Sequence, residues 1–411
     1  MTDRRRVAIT GIGVISAIGR GREETLQSVR EGRIGVRTIS NFDSSAFSCQ
    51  IAGEVPDEKI QDKLDEHRDL DRFARLALIA ADEAMSQSST GPALSGPELG
   101  TLIGTGLGGS QTLDNAYLRL YAQNLTRIPP MSIPRAMYNA AASAVAARHH
   151  AQGPSFSVVS ACASGAHSIG QAAHWIRSGL VKAVLAGASD APLAPGIMRG
   201  WESMRILSNS NDDPAGACRP FSADRKGIVL AEGAAVLLLE DFEQAQARKA
   251  TILGEIAGFG MSSDAGHLTD PSVDGPVRAM EMAMRDARIG PFEIGYINAH
   301  GTATRSNDAM ETKAIRQLFG SGADEIAVSS TKAMHGHAMG ASGAIEIALS
   351  LLALNAGVIP PNMNLSLPDP ACDLNYVANV PRQERVTTFL SNSFGFGGMN
   401  GVVAVRTVHG L

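Results

Sequence analysis

Short apolar segments alternate along the chain with longer Ala-rich segments whose apolar positions recur at helical spacing. This alternation is typical of α/β proteins, in which helices cover the faces of a largely parallel sheet. The predicted strands span residues 7–15, 100–104, 155–160, 183–187, 234–240, 252–262, 295–298, 326–329 and 401–406. We therefore expect an α/β fold with a largely parallel sheet.

One strand-to-helix pattern occurs twice. Strand 155–160 leads through Cys162 into a helix predicted at 163–176, and strand 326–329 leads through His337 into a helix predicted at 338–354. Both helices carry so little charge that we expect them to be buried between layers. We predict two related halves packed face to face: residues 1–250 with the cysteine, and residues 251–411 with two histidines.

Cys162 lies where an apolar strand changes abruptly into small residues. A sharp turn from strand to helix exposes the turn residue to the amide groups at the helix end. Those amides lower a thiol's pKa and stabilise developing negative charge, which suits a nucleophile. The alternative is a buried structural cysteine, the more common use of a lone cysteine.

Two further predicted strands end in polar clusters. One is followed by His300 and the other by Lys332, His335 and His337. Each histidine alone could be a core or a surface residue. Together with Cys162 they form three strand-end clusters of reactive side chains, the arrangement expected for covalent catalysis with imidazole partners.

The composition is that of an ordinary globular enzyme. Of the 411 residues, 44% are hydrophobic and 19% charged, which is enough apolar material for two core-bearing halves. The formal net charge of −5 gives no support to nucleic-acid binding, which normally shows a basic excess. Local basic spots at residues 4–6, 225–226 and 248–249 are interpreted as solvated faces.

Cysteine usage and the N-terminus bear on location. The four cysteines are widely scattered, so we predict neither disulfides nor a metal site, and we expect a reducing cytoplasm. Glycines interrupt the apolar start of the chain, so residues 7–15 are interpreted as a strand rather than a signal peptide. The absence of any apolar run of about 18 residues argues against a membrane span.

Four motifs carry a family resemblance that covers essentially the whole chain. They are Ser-Ala-Cys at 160–162, Asn-Ala-His-Gly-Thr at 298–302, Ser-Thr-Lys at 330–332 with Gly-His at 336–337, and the glycine-rich segment 392–401. In this order and spacing the chain resembles the elongating β-ketoacyl-acyl-carrier-protein synthases of the thiolase superfamily. The resemblance implies a thiolase-like fold, with two related halves in five layers ordered α-β-α-β-α.

The resemblance also implies a reaction and its partners. An acyl thioester condenses with malonyl-acyl-carrier-protein as carbon dioxide is lost, and no cofactor is needed. The partners are an acyl carrier protein bearing a phosphopantetheine thioester and a second subunit, identical or related.

Carried over position by position, the resemblance implies that Cys162 takes the acyl group. His300 and His337 stabilise the enolate oxygen, and Lys332 supports them electrostatically. The backbone amide of Phe396 is the second oxyanion donor, and its ring gates the acyl pocket. The other implied site residues are Thr302 and Thr304 for the pantetheine arm, Leu107, Trp201 and Ser132 for the acyl pocket, and the supporting carboxylates Glu346, Asp308 and Glu311.

Plainer interpretations stay open for two of these groups. Lys332 and Glu346 can form a buried salt bridge without a catalytic part. The two threonines can cap a turn, which is the more common use of threonine at a strand end.

The sequence departs from the family's fatty-acid enzymes at several positions. His335 and Met399 stand where those enzymes usually have threonine. Asp65 and Asp69 stand where basic residues often attract the acidic carrier protein, so we expect docking to differ. The segment around Trp201 is similar to that of specialised ketosynthases, including the nodulation type.

Two alternatives share the fold. The chain could be the active subunit of a heterodimer with a chain-length factor, in polyketide or polyene synthesis. A thiolase is the less favoured alternative, because it would carry a second catalytic cysteine at residues 394–396, where this chain has Phe-Gly-Phe.

Overall fold

The computed structural model describes residues 4–88 and 94–410, apart from the side chains of residues 63–65. Its strands are β1 (Val7–Ser16), β2 (Gly19–Arg20), β3 (Arg37–Thr38), β4 (Ile51–Ala52), β5 (Leu99–Gly104), β6 (Ser155–Phe156), β7 (Ala183–Asp190), β8 (Gly233–Asp241), β9 (Gly254–Ser263), β10 (Tyr296–Asn298), β11 (Ala327–Ser329), β12 (Val358–Ile359), β13 (Arg382–Gln383), β14 (Thr388–Gly395) and β15 (Met399–Thr407). Its α-helices are α1 (Gly21–Glu31), α2 (Gln61–Glu66), α3 (Arg72–Ser86), α4 (Ser110–Tyr117), α5 (Ser132–Ala136), α6 (Ala140–Arg148), α7 (Ser164–Ser178), α8 (Pro195–Ser203), α9 (Phe242–Ala247), α10 (Asp274–Ala287), α11 (Arg305–Phe319), α12 (Lys332–His335) and α13 (Ser342–Asn355).

One large sheet runs in the order β11-β10-β14-β15-β9-β1-β8-β7-β5-β6. Its two halves meet where β1 pairs with β9 at Ala8 and Ile9. Both halves have the same design, with parallel pairs at the outer edge and antiparallel pairs toward the junction. The expected largely parallel sheet is therefore wrong. The antiparallel pairing of β14 with β15 has a local cause. A tight glycine turn joins these two strands, and so short a connection permits only an antiparallel pair.

Helices form three layers around the two half-sheets. The central helices α7 and α13 contact strands of both halves, α3 and α6 cover one outer face, and α10 and α11 cover the other. The largest apolar cluster lies in the middle layer, where α7 and α13 pack between the half-sheets. This is the expected five-layer α-β-α-β-α fold, and the predicted burial of both central helices is confirmed.

Seven of the nine predicted strands match observed strands within two residues, and β7 runs three residues beyond its predicted end. Strand β6 ends at Phe156 rather than at residue 160, because the chain turns there toward Cys162. Strand β14 carries no prediction, because its buried Ser391, Asn392 and Ser393 break the apolar run that marks a strand. The predicted helix 338–354 begins at Ser342, after a short 3-10 turn.

Two of the basic spots are not solvated faces. Arg225 is buried and pairs with Asp308 and Asp369, and Arg248 pairs with Glu240 at 2.5 Å. In the described part of the chain, no helix combines the length and the apolar character needed to cross a membrane.

Glycine lets the two central helices approach each other. A Cβ at Gly165, in the first turn of α7, would lie 2.8 Å from the amide nitrogen of Ala344 and 2.9 Å from the carbonyl oxygen of Gly340. Both neighbours are backbone atoms beside or within α13, so neither can move without shifting a helix. The close contact therefore depends on the missing side chain.

We predict that Gly165→Ala lowers the free energy of unfolding by about 1–3 kcal/mol, the usual cost of overpacking a well-packed core. Urea unfolding followed by circular dichroism measures it. Gly200→Ala in α8 is the matched control, because a Cβ there has no neighbour within 4 Å. That change should be neutral or stabilise by about 0.5–1 kcal/mol. Equal effects of the two substitutions would show that the helix contact is not tight.

Candidate active site

Cys162 sits on a strained turn at the start of α7. The preceding residue, Ala161, has φ +50°, in the left-handed region that a residue with a Cβ rarely adopts. The Ser160 amide donates to the Ser164 hydroxyl at 2.9 Å, and that hydroxyl donates to the Ala161 carbonyl at 2.7 Å. These bonds hold the thiol at the amino end of the helix.

The two histidines come from the other half of the chain. Strands β10 and β11 are parallel neighbours, so the residues after them lie at the same sheet edge. His300 follows β10, and His337 follows the short helix α12 after β11. The backbone of His337 is bound to the segment before β8, with its amide donating to the Val229 carbonyl at 2.7 Å.

These three side chains meet in one cluster. His337 Nε2 lies 3.2 Å from Cys162 Sγ. The rings of His300 and His337 meet edge to face with centroids 5.5 Å apart. One nitrogen of each imidazole and the sulfur all lie within 4.8 Å of one another. The structure thus brings a thiol and two imidazoles from opposite halves to one point.

The partners of the imidazoles orient their rings. The Lys332 ammonium donates to the His300 carbonyl at 2.6 Å and lies 3.4 Å from His300 Nδ1. Because an ammonium group only donates, Nδ1 accepts, and the proton of neutral His300 is on Nε2. The Ser342 hydroxyl holds His337 Nδ1 at 2.9 Å, which leaves Nε2 facing the thiol.

Burial sets the charge states of this cluster. It lowers the pKa of His300 and His337 well below the usual value, and the charge of Lys332 adds to the effect, so both rings are neutral at neutral pH. Burial also raises the pKa of the Cys162 thiol to about 12, against the opposing effects of Lys332 and the amides of Phe396 and Cys162. The expected lowering of this pKa is wrong, because loss of water outweighs the favourable dipoles.

The supporting carboxylates lie behind the cluster and do not line the cavity. Lys332 and Glu346 form a fully buried ion pair at 2.5 Å. Glu311 accepts from the amides of His300 and Gly301, each at 2.8 Å, and so fixes the loop after β10. Asp308 accepts from the Phe221 amide at 2.8 Å and contacts Arg225.

A cavity of about 250 Å³ opens in front of the cluster. Besides the thiol and the imidazoles it is lined by Trp201, Phe396, Thr302 and Thr304. The rings of Trp201 and Phe396 stack, with centroids 5.9 Å apart and an interplanar angle of 24°. An apolar wall of paired aromatic rings therefore stands beside the nucleophile.

Glycine at 395 brings the Phe396 amide to the sulfur. A Cβ there would lie 3.0 Å from the Ser160 carbonyl oxygen and 3.1 Å from the Cys162 amide nitrogen, so a side chain would push these backbone atoms apart by a few tenths of an ångström. The amides of Phe396 and Cys162 both donate toward Cys162 Sγ. Together they form a pair of donors suited to an oxyanion next to the thiol.

The structure shows the capping role of one threonine and leaves pantetheine binding by the pair a prediction. Both line the cavity, and their hydroxyl oxygens lie 3.0 Å apart. The hydroxyl of Thr304 also accepts from the Asn307 amide, capping α11.

Two expected pocket walls lie elsewhere in the protomer. Leu107 does not line the cavity but packs against the apolar cluster that contains Trp201 and Met339. The buried hydroxyl of Ser132, at the start of α5, donates to the Pro129 carbonyl at 2.7 Å.

Several site residues have no counterpart in the sequence predictions. Ser342 and Phe394 contact the imidazoles, with the Phe394 ring 5.8 Å from that of His300. Residues 267–271 line the outer cavity, and the Gly397 amide donates to the Leu268 carbonyl at 2.7 Å. The sequence of this loop has no periodic pattern of apolar residues from which its position could be predicted. Ser342 could have been predicted as a hydrogen-bond partner, because its hydroxyl lies five residues after the candidate histidine His337.

The residues that depart from the fatty-acid enzymes lie outside the cavity. His335 is buried with Nε2 3.2 Å from the Thr331 hydroxyl, and burial lowers its pKa to about 3. Met399 and Asp69 are exposed. The side chain of Asp65 lies outside the described residues.

Cys162, His300 and His337 also form a set of potential metal ligands. The Lys332 ammonium beside His300 opposes a second cation there, which makes acid–base and nucleophilic chemistry the better use of the three groups.

The five-layer fold, with a cysteine and two histidines at its centre, defines a thiolase-like ketosynthase, a class of acyltransferase. The family described as "Beta-ketoacyl synthase, N-terminal domain" matches residues 4–245, and "Beta-ketoacyl synthase, C-terminal domain" matches residues 253–366. The chain belongs to the beta-ketoacyl synthase family.

Two relatives and one solved structure illustrate the similarity. The chain is 41% identical over 411 residues to 3-oxoacyl-[acyl-carrier-protein] synthase 2 of Coxiella burnetii (strain RSA 493 / Nine Mile phase I), covering 99% of each protein. It is 41% identical over 408 residues to Nodulation protein E of Rhizobium sp. (strain N33), covering 98% of this chain and 100% of that protein. The structure described as "The ishigamide ketosynthase/chain length factor" superposes with a TM-score of 0.92 at 34% identity, covering 98% of this chain and 100% of that one.

We predict that Cys162 alkylation by iodoacetamide accelerates about tenfold per pH unit from neutral into alkaline solution, because the thiolate is the reactive form and its pKa is raised to about 12. Peptide mass spectrometry at several pH values measures the rate. Cys218 is the internal control, because its pKa is also raised to about 12 but it does not line the cavity, so it should stay unmodified. A plateau near neutral pH would mean that the thiol is already ionised.

Proposed function

We propose that this enzyme condenses an acyl group held on Cys162 with malonyl-acyl-carrier-protein, releasing carbon dioxide and 3-oxoacyl-acyl-carrier-protein. The observation that carries the proposal is the contact between Cys162 Sγ and His337 Nε2 at 3.2 Å, with His300 beside it in the same cavity. The name of the Coxiella burnetii relative, 3-oxoacyl-[acyl-carrier-protein] synthase 2, supports the carrier-bound substrate.

Acyl transfer to Cys162 is the first half-reaction. The Cys162 thiolate attacks the thioester carbonyl, a new carbon–sulfur bond forms, and the phosphopantetheine thiol leaves with the proton that Cys162 lost. The amides of Phe396 and Cys162 donate to the oxyanion of the tetrahedral intermediate. The two threonines on the cavity wall are placed to bind the pantetheine arm.

Decarboxylation and condensation form the second half-reaction. Neutral His300 and His337 donate from Nε2 to the malonyl thioester oxygen as the carbon–carboxylate bond breaks. The resulting enolate attacks the acyl carbonyl, and Cys162 leaves as a thiolate that takes up a proton. Lys332 keeps the His300 proton on Nε2, and Glu346 balances its charge.

We further propose an assembly, two halves and a location. The chain works as a homodimer or as the active half of a heterodimer with a related subunit, a proposal supported by exposed Tyr117, Tyr121, Met131 and Ile133 in one segment. The ketosynthase/chain length factor structure favours the heterodimer as the second candidate. Residues 1–250 and 251–411 form the two ketosynthase halves, and the enzyme acts in the cytoplasm.

We expect one acyl group to be added to the protein after incubation with an acyl-carrier thioester, and none in Cys162→Ala, because the other cysteines do not line the cavity. Intact-protein mass spectrometry counts the adducts. Cys218→Ala is the matched control, since it removes an equally buried thiol, and it should be acylated like the wild type. An adduct that persists in Cys162→Ala would refute the assignment of the nucleophile.

His300→Ala and His337→Ala should slow malonyl decarboxylation by about 10²–10³ each, the usual cost of losing one oxyanion donor, while acyl transfer to Cys162 is slowed less. Carbon dioxide release and adduct formation are measured on the same samples. The two readouts separate a lost donor from a misfolded protein, which would lose both.

The wild-type decarboxylation rate should stay level as the pH falls through about 6.5, the ordinary imidazole pKa. Because the pKa of both rings is lowered, they remain neutral until the pH drops well below that value. A rate that halves near the ordinary imidazole pKa would mean that a histidine is protonated there and would contradict the proposed charge state.

A further inference from the structure

A second cleft, of about 200 Å³, lies at the carboxyl end of α7. Cys162 precedes the amino end of the same helix, and 15 residues at 1.5 Å each make α7 about 22 Å long. The cleft is therefore remote from the catalytic cavity, and the two share no lining residue. Its lining includes six arginines: Arg4, Arg5, Arg6, Arg177, Arg288 and Arg406.

The charge of this cleft is unbalanced. Among the described residues, two carboxylates, those of Glu255 and Asp286, line the cleft beside six arginines, which leaves an excess of four positive charges in this lining. The whole chain has a formal net charge of −5, which makes this concentration of positive charge exceptional for the molecule. Arg5 Nε approaches a third carboxylate, that of Asp241 in β8, at 4.0 Å.

Part of the arginine set has a structural role. Arg4 bridges to Asp286 at 2.6 Å, and Arg6 bridges to Glu255 at 2.5 Å. The terminal nitrogens of Arg177 donate hydrogen bonds to the Asp286 carboxylate and to two backbone carbonyls of β9. Arg5 and Arg6 are exposed, as expected for the triplet at 4–6, and the ion pairs of Arg4 and Arg6 hold the cleft in shape.

One buried donor in the cleft lacks an acceptor. Arg177 Nε has no hydrogen-bond partner among the described residues, in a side chain that is only 7% exposed. Arg5 and Arg288 are exposed at the margin. Burial lowers the pKa of Arg177, and repulsion from Arg4 adds to the effect, while Asp286 and Glu255 oppose it.

We propose that this cleft binds a di- or triphosphate group. Guanidinium groups bind phosphate oxygens through paired, charge-assisted hydrogen bonds, and several converging groups suit a chain of phosphates better than a single carboxylate. Such a ligand supplies the missing negative charge and extends along the arginine-lined cleft. Arg5, whose Nε lies 4.0 Å from Asp241, and Arg288 have exposed side chains that can turn toward the phosphates.

The test is titration of the full-length protein with sodium tripolyphosphate, by isothermal calorimetry and by thermal unfolding, against sodium chloride at matched ionic strength. Wild-type protein should bind with saturation and unfold at a higher temperature. The double variant Arg5→Ala with Arg288→Ala should bind at least about tenfold more weakly, because each lost contact is a hydrogen bond to a charged group. A parallel titration with a nucleoside triphosphate identifies the source of the phosphates, since tighter binding than tripolyphosphate indicates a nucleotide.

The matched control is Arg30→Ala with Arg37→Ala, which removes two exposed arginines outside the cleft and so changes the net charge equally. This variant should bind like the wild type. If both double variants bound tripolyphosphate equally more weakly than the wild type, the effect would come from overall charge, and the proposal would be overturned. Absence of any effect beyond that of sodium chloride on wild-type protein would overturn it as well.

Discussion

The close contact between α7 and α13 is the constraint on which the rest of the structure depends. Each helix is buried between the two half-sheets, and their first turns approach closely because Gly165 has no side chain. That approach brings Cys162, which precedes α7, to His337, which precedes α13. Cys162 and His337, which are far apart in the sequence, therefore meet in one site because α7 and α13 pack against each other in the central layer.

The same burial decides the chemistry of the site. In water the imidazoles would be partly protonated near neutral pH, but the loss of water and the neighbouring Lys332 keep them neutral, and each neutral ring has one N–H to donate to a developing oxyanion. The loss of water also disfavours the thiolate form of Cys162 and so raises the pKa of its thiol. The amides of Phe396 and Cys162 and the charge of Lys332 offset part of that cost where negative charge develops.

The reactive residues and most of the strands and helices could be predicted from the sequence, because both leave local patterns in it. Apolar runs marked most strands of the large sheet, and strand ends marked the residues that form the cluster. Strand β14 left no such pattern, because the buried polar residues Ser391, Asn392 and Ser393 interrupt its apolar run. The direction in which the pKa of Cys162 shifts could not be predicted from local sequence either. The amides at a helix start can be inferred from sequence, whereas the burial that raises the pKa depends on the whole fold.

Helix α7 links the catalytic cavity and the arginine cleft by a common physical cause. Its amino end carries partial positive charge from unpaired amides, which favours the developing anion at Cys162. Its carboxyl end carries partial negative charge, which favours cations such as Arg177 in its last turn. Arg177 is held by β9 carbonyls and Asp286, so the cleft is tied to the second half-sheet, as the cavity is tied to it through His300.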